Sequence, residues 1–470
     1  MKKLFALALL GTTALAAEAG AMDAQLRPDQ VEFKGLYKEL VETNTTLSSG
    51  SCTLAAERMA ARMRSAGIPD SQITLFSTPE HPKDGGLVVV YPGTDKKLKP
   101  MLLLAHIDVV EANRADWTRD PFTLIEENGQ FYGRGTFDDK AQASIWTDTM
   151  VRFAKEKYKP KRTVKLALTC GEETTGAFNG AEWLTKNKRD LIDAAYALNE
   201  GGGGRSDADG KLMVQTIQVG EKAYQDFTLT ATNEGGHASS PVRDNAIYAM
   251  SDALLKIRDH EFKLEFNDTT RTFFSKAGPL YPGAMGKAMA ALAANPNDTA
   301  SEAIVNQDRS LHSMLRTTCV ATEVQGGHAL NALPQRVTVN VNCRMFPGRT
   351  PDETLAELTR VIGNPAITIE QRVKDRPIAK VPPLDPAIIG PMTTLAAKFF
   401  PGVPVIPAIS TGASDGVYTA AVGIPTYGVP GVWVDSKMNN IHGLNEHMEV
   451  RALMDGRDYL YALVKLLSSR

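Results

Sequence analysis

The stretch "KPMLLLAHIDVV", residues 99–110, runs an unbroken apolar segment into a histidine and an aspartate two positions apart. A continuous apolar run bounded by turn residues suits a strand buried on both faces, as in a parallel sheet covered by helices. "GGLVVVYPG" (85–93) and "RTVKLALTC" (162–170) have the same character, and "AAYALNE" (194–200) is a shorter version. Helical segments lie between them. Residues 28–67 read as helical, with "AAERMAARMRSAG" stopping at Gly67. "DKAQASIWTDTMVRFAKEKY" (139–158) and "GAEWLTKNKRDLID" (180–193) are further helices. Strands alternating with helices predict an α/β unit: a mostly parallel sheet with helices on both faces.

The pattern changes near Gly220. "DFTLTATN" (226–233) and "RVTVNVNCRMF" (336–346) alternate apolar with polar residues, the mark of antiparallel strands with one covered and one open face. Helices are expected around 244–258 and 351–363. Residues 220–375 therefore read as a smaller inserted α+β unit, with an excursion at about 265–312 inside it. The α/β pattern then returns through "PMTTLAAKFFPG", "GVPVIPAIS" and "IPTYGVPG" to a closing amphipathic helix near the C-terminus. The larger unit is thus built from residues 22–219 and 376–470.

The N-terminus stands apart. Lys2 and Lys3 precede an apolar run, Leu4–Leu10, and then small residues with A-x-A sites, the pattern of a secretory signal peptide over residues 1–21. A short membrane anchor is the alternative, although the run is short for a span. The expected location is periplasmic or secreted, with no stable membrane span after signal removal. A net charge of −2 argues against a nucleic-acid partner. Cys52, Cys170, Cys319 and Cys343 are widely spaced, and three lie in or beside apolar strand-like runs. Buried free thiols are the expected state, with one bridge left open by the exported setting.

Polar residues gather just beyond the buried strands: His106 and Asp108, Asp138 in "GRGTFDDK" (133–140), Glu172 and Glu173 in "GEET" (171–174), Glu200, and His442 in "IHGLNE" (441–446). Ligands of open α/β sheets bind beyond the carboxyl ends of the strands, so these residues are expected to converge. Histidine and carboxylate ligands together suit zinc or a similar divalent ion. His106 and Asp108 share a strand face, so Asp108 can accept the second ring N–H of His106.

The ordered set "HID", "GRGTFDDK", "GEET", "NEGG", "GGHASSP" (235–241) and "IHGLNE" resembles the motif series of the dizinc peptidases that include carboxypeptidase G, carboxypeptidase S, aminoacylase and succinyl-diaminopimelate desuccinylase. The "NEGG" form and the 265–312 excursion resemble the carboxypeptidase S-like branch. The resemblance implies two Zn²⁺ per subunit, with Co²⁺ or Mn²⁺ as alternatives. His106, Asp138 and Glu200 would hold one ion, and Asp138, Glu173 and His442 the other. It selects Asp138 over Asp139, because the bridging residue precedes one variable position and then Lys140. It makes Glu172 the general base beside its ligand neighbour, places Asp108 behind His106, and makes His237 an oxyanion donor, often reaching across a dimer. A loop-stabilising role is the plainer reading of His237.

Arg344 also has an argument from alternation, which sets it on the polar face with Asn340 and Asn342. A guanidinium there can grip a carboxylate through two hydrogen bonds, or form a structural ion pair. By resemblance it would bind the substrate's free carboxylate. Asn331 in "HALNALP" and Gly412 and Ser414 in "STGASDG" resemble substrate-binding segments. The inserted unit would be a lid and dimerisation domain, giving a possible homodimer. The expected substrate is a peptide or N-acyl amino acid, cut at an amide next to a residue with a free carboxylate. The rival readings are an N-acyl-amino-acid deacylase or synthase, and a metal-dependent peptide-binding protein without turnover.

Overall fold

The computed structural model describes residues 26–174, 176–374 and 377–470. The expected signal segment, 1–21, lies outside the described residues. Among the described residues, no helix is long and apolar enough to cross a membrane.

A ten-stranded mixed sheet forms the larger unit. Its centre is parallel: the strands Val164–Thr169, Met101–His106, Tyr196–Asn199 and Thr426–Gly428 lie side by side in that order. The first three are buried along their whole length. Alternate side chains serve two separate cores, as the two-residue repeat of a strand requires. Leu103, Leu166, Leu168 and Leu198 pack with Trp146 and Phe153 of the helix Lys140–Lys155. On the other face, Leu102, Leu104, Ala167 and Ala197 pack with Phe76 and Leu184. Continuous apolar runs are the consequence of this double coverage.

The 85–93 run is buried for the same reason, but its strand, His81–Tyr91, is antiparallel to both neighbours. It turns back on Ile73–Thr78 in a tight hairpin, with Thr78 opposite His81. An apolar run reports burial, and the connection decides direction.

The helix expected over 28–67 is two helices, Pro28–Val41 and Cys52–Ser65. The polar segment between them prefers local bonds to a helical ladder. Asn44 Oδ1 accepts the Thr46 N–H at 3.0 Å, and Ser51 caps the second helix by accepting the Leu54 N–H at 3.2 Å. That helix ends where the Ile68 N–H donates to Met63 O, with Gly67 in the left-handed region.

The second sheet is four-stranded and antiparallel, ordered Thr318–Gly326, Arg336–Met345, Ala223–Thr232 and Ile367–Gln371. Phe227, Leu229, Ala231, Val337, Val339 and Val341 cover one face against the helices Ala246–Asp259 and Pro351–Ile362. The excursion packs elsewhere. Its helices, from Asp268–Ala277 to Arg309–Met314, form a cluster with Ile406 and Ala408 of the large sheet. Their apolar faces found a strand that is remote in sequence, which local pattern does not encode.

The cysteines are not free thiols. Cys52 is bonded to Cys170, and Cys319 to Cys343. Cys319 and Cys343 are directly opposed on neighbouring strands. Cys52 opens a helix, and Cys170 directly follows the strand that leads to Glu172. The closed loops span 118 and 24 residues. Chain-entropy arguments make the longer bridge worth about 5 kcal/mol and the shorter about 3.5 kcal/mol. Replacing Cys52 and Cys170 by Ser should therefore lower the thermal midpoint more than replacing Cys319 and Cys343. Equal midpoints, or peptide mapping with other pairings, would contradict this arrangement.

Candidate functional site

Three neighbouring parallel strands deliver their C-terminal ends to one place. His106 ends one, Glu200 follows the next, and Glu172 and Glu173 follow the third beyond Cys170. Asp138 arrives on the loop before the helix Lys140–Lys155, and His442 on a loop near the C-terminus. His106, Asp138 and Glu200 offer ligand atoms within 4.8 Å of one another, and so do Asp138, Glu173 and His442. Asp138 belongs to both groups. Its Oδ1 lies 3.1 Å from His106 Nε2, and its Oδ2 lies 3.2 Å from His442 Nε2. His106 Nε2 is 3.7 Å from Glu200 Oε1, and His442 Nε2 is 2.9 Å from Glu173 Oε2. Neither Asp139 nor Glu172 belongs to either group.

The electrostatics are those of too many carboxylates for the cations present. Burial, then the charge of Glu200, pushes Glu172 up to about 10. Burial likewise drives Glu200 and Asp139 well above the usual carboxylate range and raises Glu173. Desolvation opposes ionisation of Asp138 too, but its bonds to His106 and His442 hold it well below that range. His442 is raised to about 10 by hydrogen bonds to Asp138 and Glu173. His106 is raised although burial opposes it, because Glu200, Asp108 and Asp138 surround it. Protons on the two imidazoles thus stand where metal cations would neutralise the same carboxylates. The donor set, two imidazoles and three carboxylates with one shared, fits a pair of divalent ions.

A shell of buried polar residues aims these groups. His106 Nδ1 is 3.1 Å from the Asp108 carbonyl oxygen and 3.5 Å from Asp108 Oδ1. The backbone carbonyl is thus the nearer partner of the ring, in place of the expected carboxylate. Asp108 Oδ2 instead accepts the Glu173 N–H at 3.0 Å. The glutamate pair turns away from its strand at Gly171, whose φ is +90°. A side-chain carbon there would lie 1.8 Å from Phe178 O, so only glycine fits. Asp415 ties the same turn down by accepting Thr169 Oγ1–H and Asn179 Nδ2–H, each at 2.7 Å.

Glu446 does this for Asp138. Its carboxylate accepts the backbone N–H groups of Gly135, Phe137 and Asp138 at 2.9–3.1 Å and pairs with buried Arg134 at 2.8 Å. One side chain therefore joins the Asp138 loop to the His442 loop. His442 itself has φ +59°, within a segment where Met438, Asn439, Asn440 and Asn445 are also left-handed. Asparagine tolerates that region, and a histidine held there marks a position over-determined by its surroundings. His447 pairs with Asp435 at 2.9 Å and steadies the base of this loop.

Sequence reading missed Glu446, Arg134, Asp415 and Asn179 as positioning residues. Glu446 closes the "IHGLNE" motif and Asp415 lies in "STGASDG", so both were quoted without a role. Their signal is burial of a charge, which requires the fold.

The remaining expected residues form local contacts. His237 lies exposed on a two-stranded ribbon, Gly236–His237 against Ala332–Leu333, with its Nδ1 accepting the Ser239 N–H. Asn331 joins that ribbon through its carbonyl, which accepts the Ala238 N–H. Arg344 sits on the open face of the four-stranded sheet with its guanidinium 4.8 Å from the Tyr224 ring centroid. Asn340 and Asn342 beside it both donate to Asp226. The Gly412 N–H donates to Ser410 Oγ, while Ser414 is buried, donating to Glu221 and accepting from Asn199.

The model of "Peptidase family M20/M25/M40" matches residues 102–466. The chain is 24% identical to the human N-fatty-acyl-amino acid synthase/hydrolase PM20D1, over 93% of this chain and 88% of that one. It is 26% identical to a probable carboxypeptidase S-like 2 of Dictyostelium discoideum, over 81% of this chain and 74% of that one. An M20 family metallo-carboxypeptidase from Sulfolobus solfataricus superposes with a TM-score of 0.69 at 19% identity, over 93% of this chain and 99% of that one. The Bacillus subtilis YXEP protein, described as a dinuclear metal binding peptidase, superposes with a TM-score of 0.59 at 14% identity, over 93% and 98%. With the family match spanning His106 through His442 and most of the chain, this protein belongs to peptidase family M20/M25/M40.

Proposed function

We propose that the protein is a two-metal amide hydrolase acting next to a residue with a free carboxylate, of the carboxypeptidase, dipeptidase or N-acyl-amino-acid hydrolase kind. The observation that carries this reading is the sharing of Asp138 between two ligand groups, one oxygen toward each histidine. His106, Asp138 and Glu200 would hold one ion, and Asp138, Glu173 and His442 the other. When bound, paired divalent ions polarise a carbonyl and acidify water, and zinc suits this donor set.

Glu172 is left for proton transfer. It sits beside Glu173 and outside both ligand groups, so its carboxylate is left to take a proton from water and deliver it to the leaving nitrogen. Asp108 and Asp415 keep it in place by fixing the turn on which it stands. Arg344 would grip the substrate's carboxylate, with Tyr224 stacked against it. The exposed position of His237 supports a role as an oxyanion donor toward a second copy of the chain, with residues 220–375 serving as lid and dimerisation domain. Two disulfides and the lysine-led apolar N-terminus support export. The human relative's name pairs synthesis with hydrolysis. The same site run in reverse, condensing an acid with an amino acid, is the second reading.

Glu172→Gln should lower kcat at least about 100-fold while metal analysis still finds two ions per chain. Substantial residual turnover would remove Glu172 from the proton-transfer role. Arg344→Ala should raise KM for substrates with a free carboxylate and spare their carboxamides; equal loss on both would contradict the grip. Loading metal at pH 7 should release protons, because the imidazoles carry them in the bare site. Calorimetry in buffers of different ionisation enthalpy measures this, and no release would contradict the charge balance described above. Glu446→Ala should cost about 3–5 kcal/mol by stranding buried Arg134, read as a fall in thermal midpoint. An unchanged midpoint would contradict its bracing role.

A further inference from the structure

Lys222 is the single residue between a strand of the large sheet, Leu212–Glu221, and a strand of the four-stranded sheet, Ala223–Thr232. It is bonded on both sides. Its backbone N–H donates to Ser410 O at 3.0 Å, beside the Ser410 Oγ that accepts the Gly412 N–H. Its ammonium donates to Ser313 O at 2.9 Å, Arg316 O at 2.8 Å, Thr318 Oγ1 at 3.1 Å and Ser313 Oγ at 3.2 Å. Thr318 stands directly opposite Arg344 on one neighbouring strand, and Tyr224 opposite it on the other. One side chain thus ties down the strand ends that flank Arg344.

Lys222 is fully buried, yet each of these acceptors is neutral. Burial, and then the like charges of Arg344 and Arg316, bring its ammonium down to about 7. Arg316 is offset by Glu302 at 2.6 Å. His312, hydrogen-bonded to Arg316, is brought down by its own burial and then by Arg316. Glu221 bonds toward the large sheet instead, where Ser414 and Gln218 donate to it, and burial raises it to about 7. A buried ammonium held by neutral acceptors gains when an anion comes near.

We infer that Lys222 is a positioning residue for the substrate's carboxylate: it fixes the strands that flank Arg344 and lends that grip a buried positive charge. The assignment rests on the function proposed above, in which Arg344 takes the carboxylate. A guanidinium stays charged at every working pH, whereas this ammonium does not. Below about pH 7 Lys222 is charged and adds its attraction; above it the amine is neutral and the attraction is lost. A bound carboxylate favours the charged form, so binding takes up protons near pH 7. A carboxamide carries no charge and feels neither effect.

The test compares an N-acetyl amino acid with its carboxamide on the metal-replete enzyme between pH 6.5 and 8.5. The KM of the acid, divided by that of the carboxamide, should rise about fivefold over this range. Taking the ratio cancels changes at the metal-ligand groups that both compounds share. Lys222→Arg should hold the ratio constant, because a guanidinium keeps its proton. Lys222→Met should hold it at the weaker, high-pH value, and Glu221→Gln should keep the wild-type profile. A wild-type ratio indifferent to pH, an unaltered profile in Lys222→Met, or its loss in Glu221→Gln would overturn the assignment. The wild-type profile decides even where a variant fails to fold. Calorimetry with the same two compounds, in buffers of different ionisation enthalpy, separates the two levels of the reading. If no amide is cut, yet the acid binds with proton uptake near pH 7 and the carboxamide binds without it, the Lys222 assignment stands and the hydrolase reading falls. If amides are cut with a preference for the acid, but neither the ratio nor proton uptake responds to pH, the Lys222 assignment falls alone.

Discussion

The site is organised around one carboxylate that must face two ways. Asp138 presents an oxygen to each of two histidines, and those histidines come from segments more than 300 residues apart. Such sharing is tolerable only if the backbone carrying Asp138 cannot drift. Glu446 supplies that constraint by accepting the backbone N–H groups of Gly135, Phe137 and Asp138 from its own place on the His442 loop. Arg134 offsets its buried charge. The loops that carry Asp138 and His442 are thus bonded to each other.

The parallel centre of the large sheet does the rest. Strands 101–106, 164–169 and 196–199 are neighbours, so His106, the glutamate pair and Glu200 leave the sheet side by side. Adjacency of Glu172 and Glu173 is costly in isolation, since burial raises the proton affinity of both. The turn at Gly171 and the Asp108 bond to the Glu173 N–H separate their surroundings: Glu173 groups with Asp138 and His442, and Glu172 belongs to neither ligand group. Two identical side chains thereby acquire different chemistry from a single bend.

Much of this was legible beforehand. Apolar runs ending in His106, Cys170 and Glu200 marked the buried strands, because a strand covered on both faces has no polar face to show. Alternation in 226–233 and 336–346 marked the second sheet for the opposite reason. Other features were not legible. The 28–67 segment broke where asparagine and serine side chains outcompete helical bonds. The 81–91 strand ran antiparallel because a hairpin set its direction. The 265–312 excursion packed on a distant strand. Cys52 met Cys170 because a helix and a strand end adjoin only after folding, and the opposed pair Cys319 and Cys343 required the strand register.

Sequence by itself determined the chemistry on offer: which imidazoles and carboxylates stand at strand ends, and in what order. Those identities are local, and strand burial is written locally as apolar runs. Only the tertiary structure decided which groups share a centre and which polar residues brace them. Glu446 and Asp415 act through proximity between remote segments. Proximity of that kind comes from packing and hydrogen bonding across the whole fold, and no short stretch of residues carries it.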